Sequence, residues 1–201
     1  MTELEALNII LDSIQARAVN SYDSNQPEAA KARRKLETVT AREQQKGWFF
    51  NNLYEVEYIP NSEGIIELPI NVTKIIPYDA DVILRDHKLY NRRIGTFNFV
   101  ANQKLIQQTE TLIWDYLPET FKSMIANLAA AEYVKDVLGD DSIRQSYMQL
   151  AAAELMNLKK EELQQEQFNV LDTNRAFRYR NARRPYGNNH VIIGTGTLNK
   201  E

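Results

Sequence analysis

Apolar residues recur at the helical period in the first stretch of the chain. Leu4, Leu7, Ile10, Leu11 and Ile14 fall on one stripe, which predicts a helix from Thr2 to about Arg17. Thr2 stands where an N-cap is needed, and Glu3 and Glu5 occupy the first turn, where carboxylates meet unpaired amide groups. A polar linker, Asn20 to Asn25, follows. Pro27 then suits the first position of a second helix, because its missing N–H has no partner to lose there. That helix runs through Ala30, Arg33, Leu36, Val39 and Ala41 with a Lys- and Arg-dense outer side, and Gly47 suits its left-handed C-cap.

From Trp48 the period changes to two. Apolar and charged residues alternate in Tyr54-Glu55-Val56-Glu57-Tyr58, the pattern of a strand with one wet face. Asn61 to Gly64 reads as a turn and Ile65 to Leu68 as the returning strand. Asp81 to Arg85 and Lys88 to Arg92 form a second expected hairpin around Asp86-His87. Phe97 and Phe99 alternate, and Leu112, Trp114 and Tyr116 are expected along one face of a strand beginning near Leu105. Trp48, Phe49 and Phe50 read as a plug between helices and sheet.

The helical period returns after Leu117-Pro118-Glu119. Phe121, Met124, Ile125, Leu128, Ala131, Val134 and Leu138 form the expected buried stripe, and Ala129-Ala130-Ala131 predicts close approach of another helix. Gly139 ends this helix, and Asp140, Asp141 and Ser142 offer caps for a last one carrying Ile143, Tyr147, Leu150, Ala151, Leu155 and Leu158 on one face. Its far end, Lys159 to Gln167, is nearly all polar. Periodicity is lost from Thr173 onward.

These elements predict an α+β fold: an antiparallel helical bundle with an antiparallel β insertion between helix pairs, and an extended C-terminal arm. The expected organisation is a domain over 1–172, with helices in 2–47 and 118–168 and the β insertion in 48–117, followed by a basic arm over 173–201.

Composition narrows the chemistry. An apolar fraction of 43% in 201 residues suffices for a packed core. The absence of cysteine excludes disulfides, thiolate metal sites and a cysteine nucleophile. No secretory signal and no run approaching a spanning helix is present, so a soluble chain without a membrane anchor is expected. Net charge is −3, but five Arg and Lys200 against Glu201 give the arm +5, so the rest of the chain carries −8. A basic tail on an acidic body predicts that the tail binds something acidic, or docks on a neighbouring copy.

No phosphate loop is present, and neither His87 nor His190 has a metal-motif context, so no cofactor and no metal is expected. Glu55 and Glu57, on one side of a strand and about 7 Å apart along it, are the enzymatic handle. A hydrolase of glycans or peptidoglycan would use such a pair. Alternation alone also accounts for it, as it does for Asp79 and Asp81, while Asp140 and Asp141 are explained by capping. In the arm, Arg175, Arg178, Arg180, Arg183 and Arg184 interleave with Phe177, Tyr179 and Tyr186, and Val191-Ile192-Ile193 follow. Such a segment can dock on a protein partner, stack on and pair with nucleic acid, or simply solubilise.

Taken in order, Leu7 to Ile14, Glu28 to Asn51 ending in Gly47-Trp48, Leu68-Pro69, Lys88 to Arg92, and Leu117-Pro118-Glu119 with its alanine-rich helix resemble the tail tubular protein A family, head-to-tail adaptors of short-tailed bacteriophages. The resemblance covers residues 4 to 172. It departs at Gln15-Ala16-Arg17-Ala18-Val19, where the family places a Gly and a Pro, so the first helix either runs on or turns by other means. The resemblance implies a structural virion protein of the tail, made in the host cytoplasm. It implies a ring of about twelve copies between the portal protein and a tail nozzle of the tail tubular protein B kind, with a channel that DNA traverses without sequence-specific binding. Such a protein works through interfaces and is not an enzyme. The arm residues Arg175, Phe177, Arg178, Tyr179, Arg180, Arg183, Arg184, Tyr186, Val191, Ile192 and Ile193 are the expected contacts to portal or neighbouring subunit.

Overall fold

The structure, a computed structural model, describes residues 1–169. Two helices, a run of strands and two further helices follow one another, as expected: α1 (Glu3–Ser13), α2 (Pro27–Gln44), β1 (Asn52–Tyr58), β2 (Val72–Pro77), β3 (Val82–Arg85), β4 (Lys88–Asn91), β5 (Gln103–Glu110), α3 (Glu119–Val137) and α4 (Asp141–Asn169). The fold is α+β, with antiparallel sheets inserted between the helix pairs.

The helical core forms around α3. Its alanine run is fully buried, as are Phe121, Ile125, Ala126 and Val134. Small side chains let α1 and α2 approach, bringing Ala6, Leu7, Ile10 and Leu11 from one and Ala29, Ala32, Leu36 and Val39 from the other. Each large apolar side chain removed from water here contributes roughly 1.5–3 kcal/mol. Tyr133 donates its hydroxyl to the Glu28 carbonyl at 3.0 Å, and Lys35 and Arg42 reach across to Asp136 and Glu132 of α3, each at 2.7 Å. Those two cations of α2 are therefore helix-to-helix ties. The α4 helix begins where Asp140 accepts from the Ser142 and Ile143 amides, and it lies on this core through Leu158, with Tyr147 and Leu155 packed beside it. Leu138 and Leu150, expected on the buried stripes, are about half exposed. Leu138 is the C-cap residue of α3, and Leu150 sits beside the narrow buried seam of α4 rather than in it.

The first helix is shorter than its apolar period suggests. It stops at Ser13, not near Arg17, because Gln15 takes a left-handed backbone (φ 57°). The Ala16 amide then reaches the Leu11 carbonyl and the Gln15 amide that of Asp12, both at 3.0 Å, closing a Schellman turn. The Asn8 side chain holds the chain beyond it, donating to the Val19 carbonyl and accepting the Val19 amide. A left-handed non-glycine residue costs about 1–2 kcal/mol, and these bonds with buried Val19 offset it.

In the β region, β5 is central in a three-stranded antiparallel sheet of order β1-β5-β2, and β3 and β4 form a separate hairpin. The hairpin turns on Asp86 and His87, both left-handed (φ 50° and 54°), as a two-residue turn matching strand twist requires. Two expectations fail. Ile65–Leu68 does not return along β1; it makes isolated bridges at Ile65 to Asn98 and Glu67 to Lys88, while β1 pairs with β5. Gly64 and the Asn61 side chain turn the chain away locally, and the longer ladder with β5 takes the β1 edge. Nor does a strand carry Leu112, Trp114 and Tyr116: β5 ends at Glu110, and Trp114–Tyr116 is a single 3-10 turn that buries Trp114 and leaves Tyr116 exposed. A second apolar cluster sits under the sheets, built on Ile66, Leu68, Val72, Val82, Leu89, Phe99 and Leu105.

A buried polar junction joins the sheet to the helices. Gly47 (φ 79°) turns the chain out of α2, where an added Cβ would sit 3.0 Å from the Asn52 side chain. Asn51 is 2% exposed. Its side chain accepts the Trp48 amide at 2.7 Å and donates to the Gln44 and Glu110 carbonyls at 2.9 and 2.8 Å. Gln44 in turn clasps both backbone groups of Leu112, at 2.7 and 3.1 Å. The aromatic plug lies on the helical side: Trp48 and Phe50 meet the Phe121 ring edge-on, with centroids 5.8 and 4.9 Å apart.

Candidate functional site

The carboxylates singled out by spacing are each engaged locally. Glu57 accepts from Asn102 at 3.0 Å and lies 3.7 Å from Lys104 across the ladder. Glu55 takes a left-handed backbone (φ 56°), which interrupts the alternation that would carry both carboxylates to one side at regular spacing. Neither lines the pocket described below. Asp79 caps its own turn by accepting the Asp81 amide, and Asp81 pairs with Arg92 and Arg93 at 3.5 and 3.4 Å. Asp141 faces Arg144 at 3.5 Å. His87 serves as a turn residue. No group of three or more His, Asp or Glu among the described residues is arranged to hold a metal ion. The expected arm contacts, Arg175 to Ile193, and His190 lie outside the described residues.

A pocket of about 200 Å³ opens where α1, α2 and the segment after β5 meet. Leu36, Ala41, Leu112 and Trp114 contribute apolar lining, and Tyr22, Glu3 and Glu37 are among the polar residues beside them. The volume lies below the roughly 300–1,000 Å³ of small-molecule sites, so it is sized for a side chain. Carboxylates outweigh cations at it. Burial raises the Glu3 carboxyl above the usual glutamate range, and Asp115, Glu37 and Asp23 each push it further the same way. Burial also raises the Tyr22 phenol, followed by Glu37 and Glu3, while Arg33, whose guanidinium carbon lies 5.7 Å from the ring centre, acts in the opposite direction. Tyr22 points its hydroxyl at Glu37 at 3.5 Å. Arg33 is committed to Asp23 and the Tyr22 carbonyl, both at 3.1 Å. Among the described residues Glu3, Glu37 and Asp115 have no ion-pair partner, in contrast to Glu43 of α2 and to Glu132 and Asp136 of α3. This site is not legible in the sequence because its members come from four separate segments. Glu3 reads locally as a first-turn carboxylate, and only the fold brings Glu37 and Asp115 near it.

Large apolar side chains stand exposed on α4 and in the β region, besides Ile113, Tyr116, Val137 and Leu138 at the two ends of α3. On α4 they are Met148, Leu150, Met156 and Leu163; in the β region Ile59, Ile70 and Val100 occupy turns. No helix among the described residues is long and apolar enough to cross a membrane.

Comparison with known proteins agrees with the order of elements. Residues 4–178 match the model of the family described as tail tubular protein. Tail tubular protein A of Klebsiella phage KP34 is 29% identical over 185 residues, which cover 91% of this chain and 98% of that protein. The match spans both helix pairs and the β insertion, so it concerns the whole architecture and not one motif. The chain belongs to the tail tubular protein family, structural components of the phage virion tail.

Proposed function

We propose that the chain is a subunit of a closed ring that joins the portal protein to the tail nozzle and leaves a central channel for DNA. The observation that carries this reading is the family match over nearly the whole chain, with its near-complete coverage of a tail tubular protein A. Side-by-side packing of identical subunits in a ring requires two different faces on each subunit. The exposed apolar side chains of α4 and of the β turns supply material for such contacts. The ring acts by geometry, without cofactor, metal or catalysis. The basic arm, through Arg175, Phe177, Arg178, Tyr179, Arg180, Arg183, Arg184, Tyr186 and Val191 to Ile193, is its docking element. The test is light scattering and electron microscopy of the protein alone and mixed with its portal. Closed rings of uniform copy number, seated on portal, are expected; a chain that stays monomeric beside portal overturns the proposal.

A further inference from the structure

We propose that the acidic pocket between α1 and α2 is a socket for an arginine side chain from the basic arm of a neighbouring copy. The inference rests on the ring reading and assigns that ring one of its contacts. Chemistry identifies the occupant. The pocket offers an apolar floor (Leu36, Leu112), two aromatic side chains (Tyr22, Trp114) and two carboxylates (Glu3, Glu37), with Asp115 acting on Glu3 from nearby. A guanidinium answers all three features: its planar fork pairs with carboxylates, its face stacks on aromatic rings, and its stem covers apolar surface. A small-molecule anion is repelled, and a metal ion finds no clustered ligand set among the described residues.

Charge bookkeeping points the same way. The arm carries +5 and the rest of the chain −8, and five of the arm's six cations are Arg. The Lys and Arg of α2 nearest the core are already paired with α3, and among the described residues the carboxylates at the pocket, Glu3, Glu37 and nearby Asp115, form no ion pair. The reach is sufficient. Arg178 follows Asn169, the last residue of α4, by nine positions, which span at most about 30 Å when extended. That is comparable to the width of a domain of this size, so an arm can cross to an adjacent subunit. Passing each arm into the next pocket gives a head-to-tail contact that repeats around a ring and closes with it.

The absence of cysteine makes the test clean. Glu37→Cys is combined, in separate full-length variants, with Cys at each of the five arm arginines and oxidised in the presence of portal. At least one pairing gives a ladder of intermolecular disulfide-linked species that collapses with reductant, whereas Lys31→Cys on another part of α2 gives none. In parallel, Glu3→Gln with Glu37→Gln weakens subunit association roughly tenfold or more, the size of one charge-assisted hydrogen bond, without lowering the thermal unfolding temperature. Rings that form while all five pairings stay unlinked, or link only within one chain, overturn the socket and leave the ring reading standing. No rings and no ladder overturn both.

Discussion

Replacing Asn51 with Leu keeps the side chain's size and removes its polar atoms from the junction between α2 and β5. Three bonds are lost together: the Trp48 amide loses its acceptor, the Glu110 carbonyl loses the Asn51 donor, and the Gln44 carbonyl keeps only the Gly47 amide at 3.1 Å. At 2% exposure water cannot replace them. A typical hydrogen bond contributes about 1 kcal/mol net, and a buried group left unsatisfied costs about 1–3 kcal/mol. With some relaxation, a loss of about 3–5 kcal/mol follows. A urea slope of about 2 kcal/mol/M converts this to a midpoint lower by about 2 M. Unfolding is followed by tryptophan fluorescence, since Trp48 sits at the junction, and by far-ultraviolet dichroism. Asn51→Asp discriminates the cause. It retains an acceptor for Trp48 but sets a carboxylate against two carbonyls, so it falls at least as far as Asn51→Leu. A midpoint shift below about 0.5 M for Asn51→Leu, with the slope unchanged, refutes the view that this side chain couples sheet to helices.

His87→Gly relieves a left-handed residue in the β3–β4 turn and raises stability by roughly 1 kcal/mol, a gain of about 2–4 °C in thermal unfolding; no gain means that the turn strain is compensated by contacts of the ring. Glu3→Gln tests the carboxylate excess at the pocket. A carboxyl whose pKa is raised by folding contributes stability that is full below the ordinary glutamate value and is lost as pH rises through the raised value. The variant is therefore more stable than the parent at pH 7, and melts at about pH 4 and below bring the two together; equal gaps at both pH values contradict the assignment. Truncation after Asp172 leaves thermal unfolding nearly unchanged and sharply reduces portal attachment in pull-down, while an unfolded truncation places the arm in the core.

Legibility in the sequence followed the range of the interactions. Pro118-Glu119 and Gly139 bound α3, and Asp86-His87 marks its hairpin, because caps and two-residue turns are decided by neighbours. The strand β2 was missed: bulges between Val72 and Lys74 and between Ile76 and Pro77 spoil its alternation. The partner of β1 was misassigned because Asn52 to Tyr58 pair with Gln103 to Thr109, a choice made by long-range packing over local return. At Gln15 to Val19 the sequence leaves open whether α1 runs on or turns, because Gln15 carries no turn signal of its own; the helix turns there, supported by Asn8 gripping Val19. The same limit hid the pocket, whose carboxylates are unremarkable singly and unpaired only in company.

The register at the foot of the sheet has a design consequence. Asn52 stands opposite Thr109, so the chain leaves the helices and returns to them at adjacent points, about 5 Å apart across an antiparallel pair. Everything from Leu53 to Gln108 is thus a detachable module hung on a two-strand stem. Its length and tip shape can change without altering the separation the helices must accommodate. A short hairpin spliced across the stem should leave the helical scaffold closed, and a foreign module with neighbouring ends can be grafted in its place to project a new surface from the same platform.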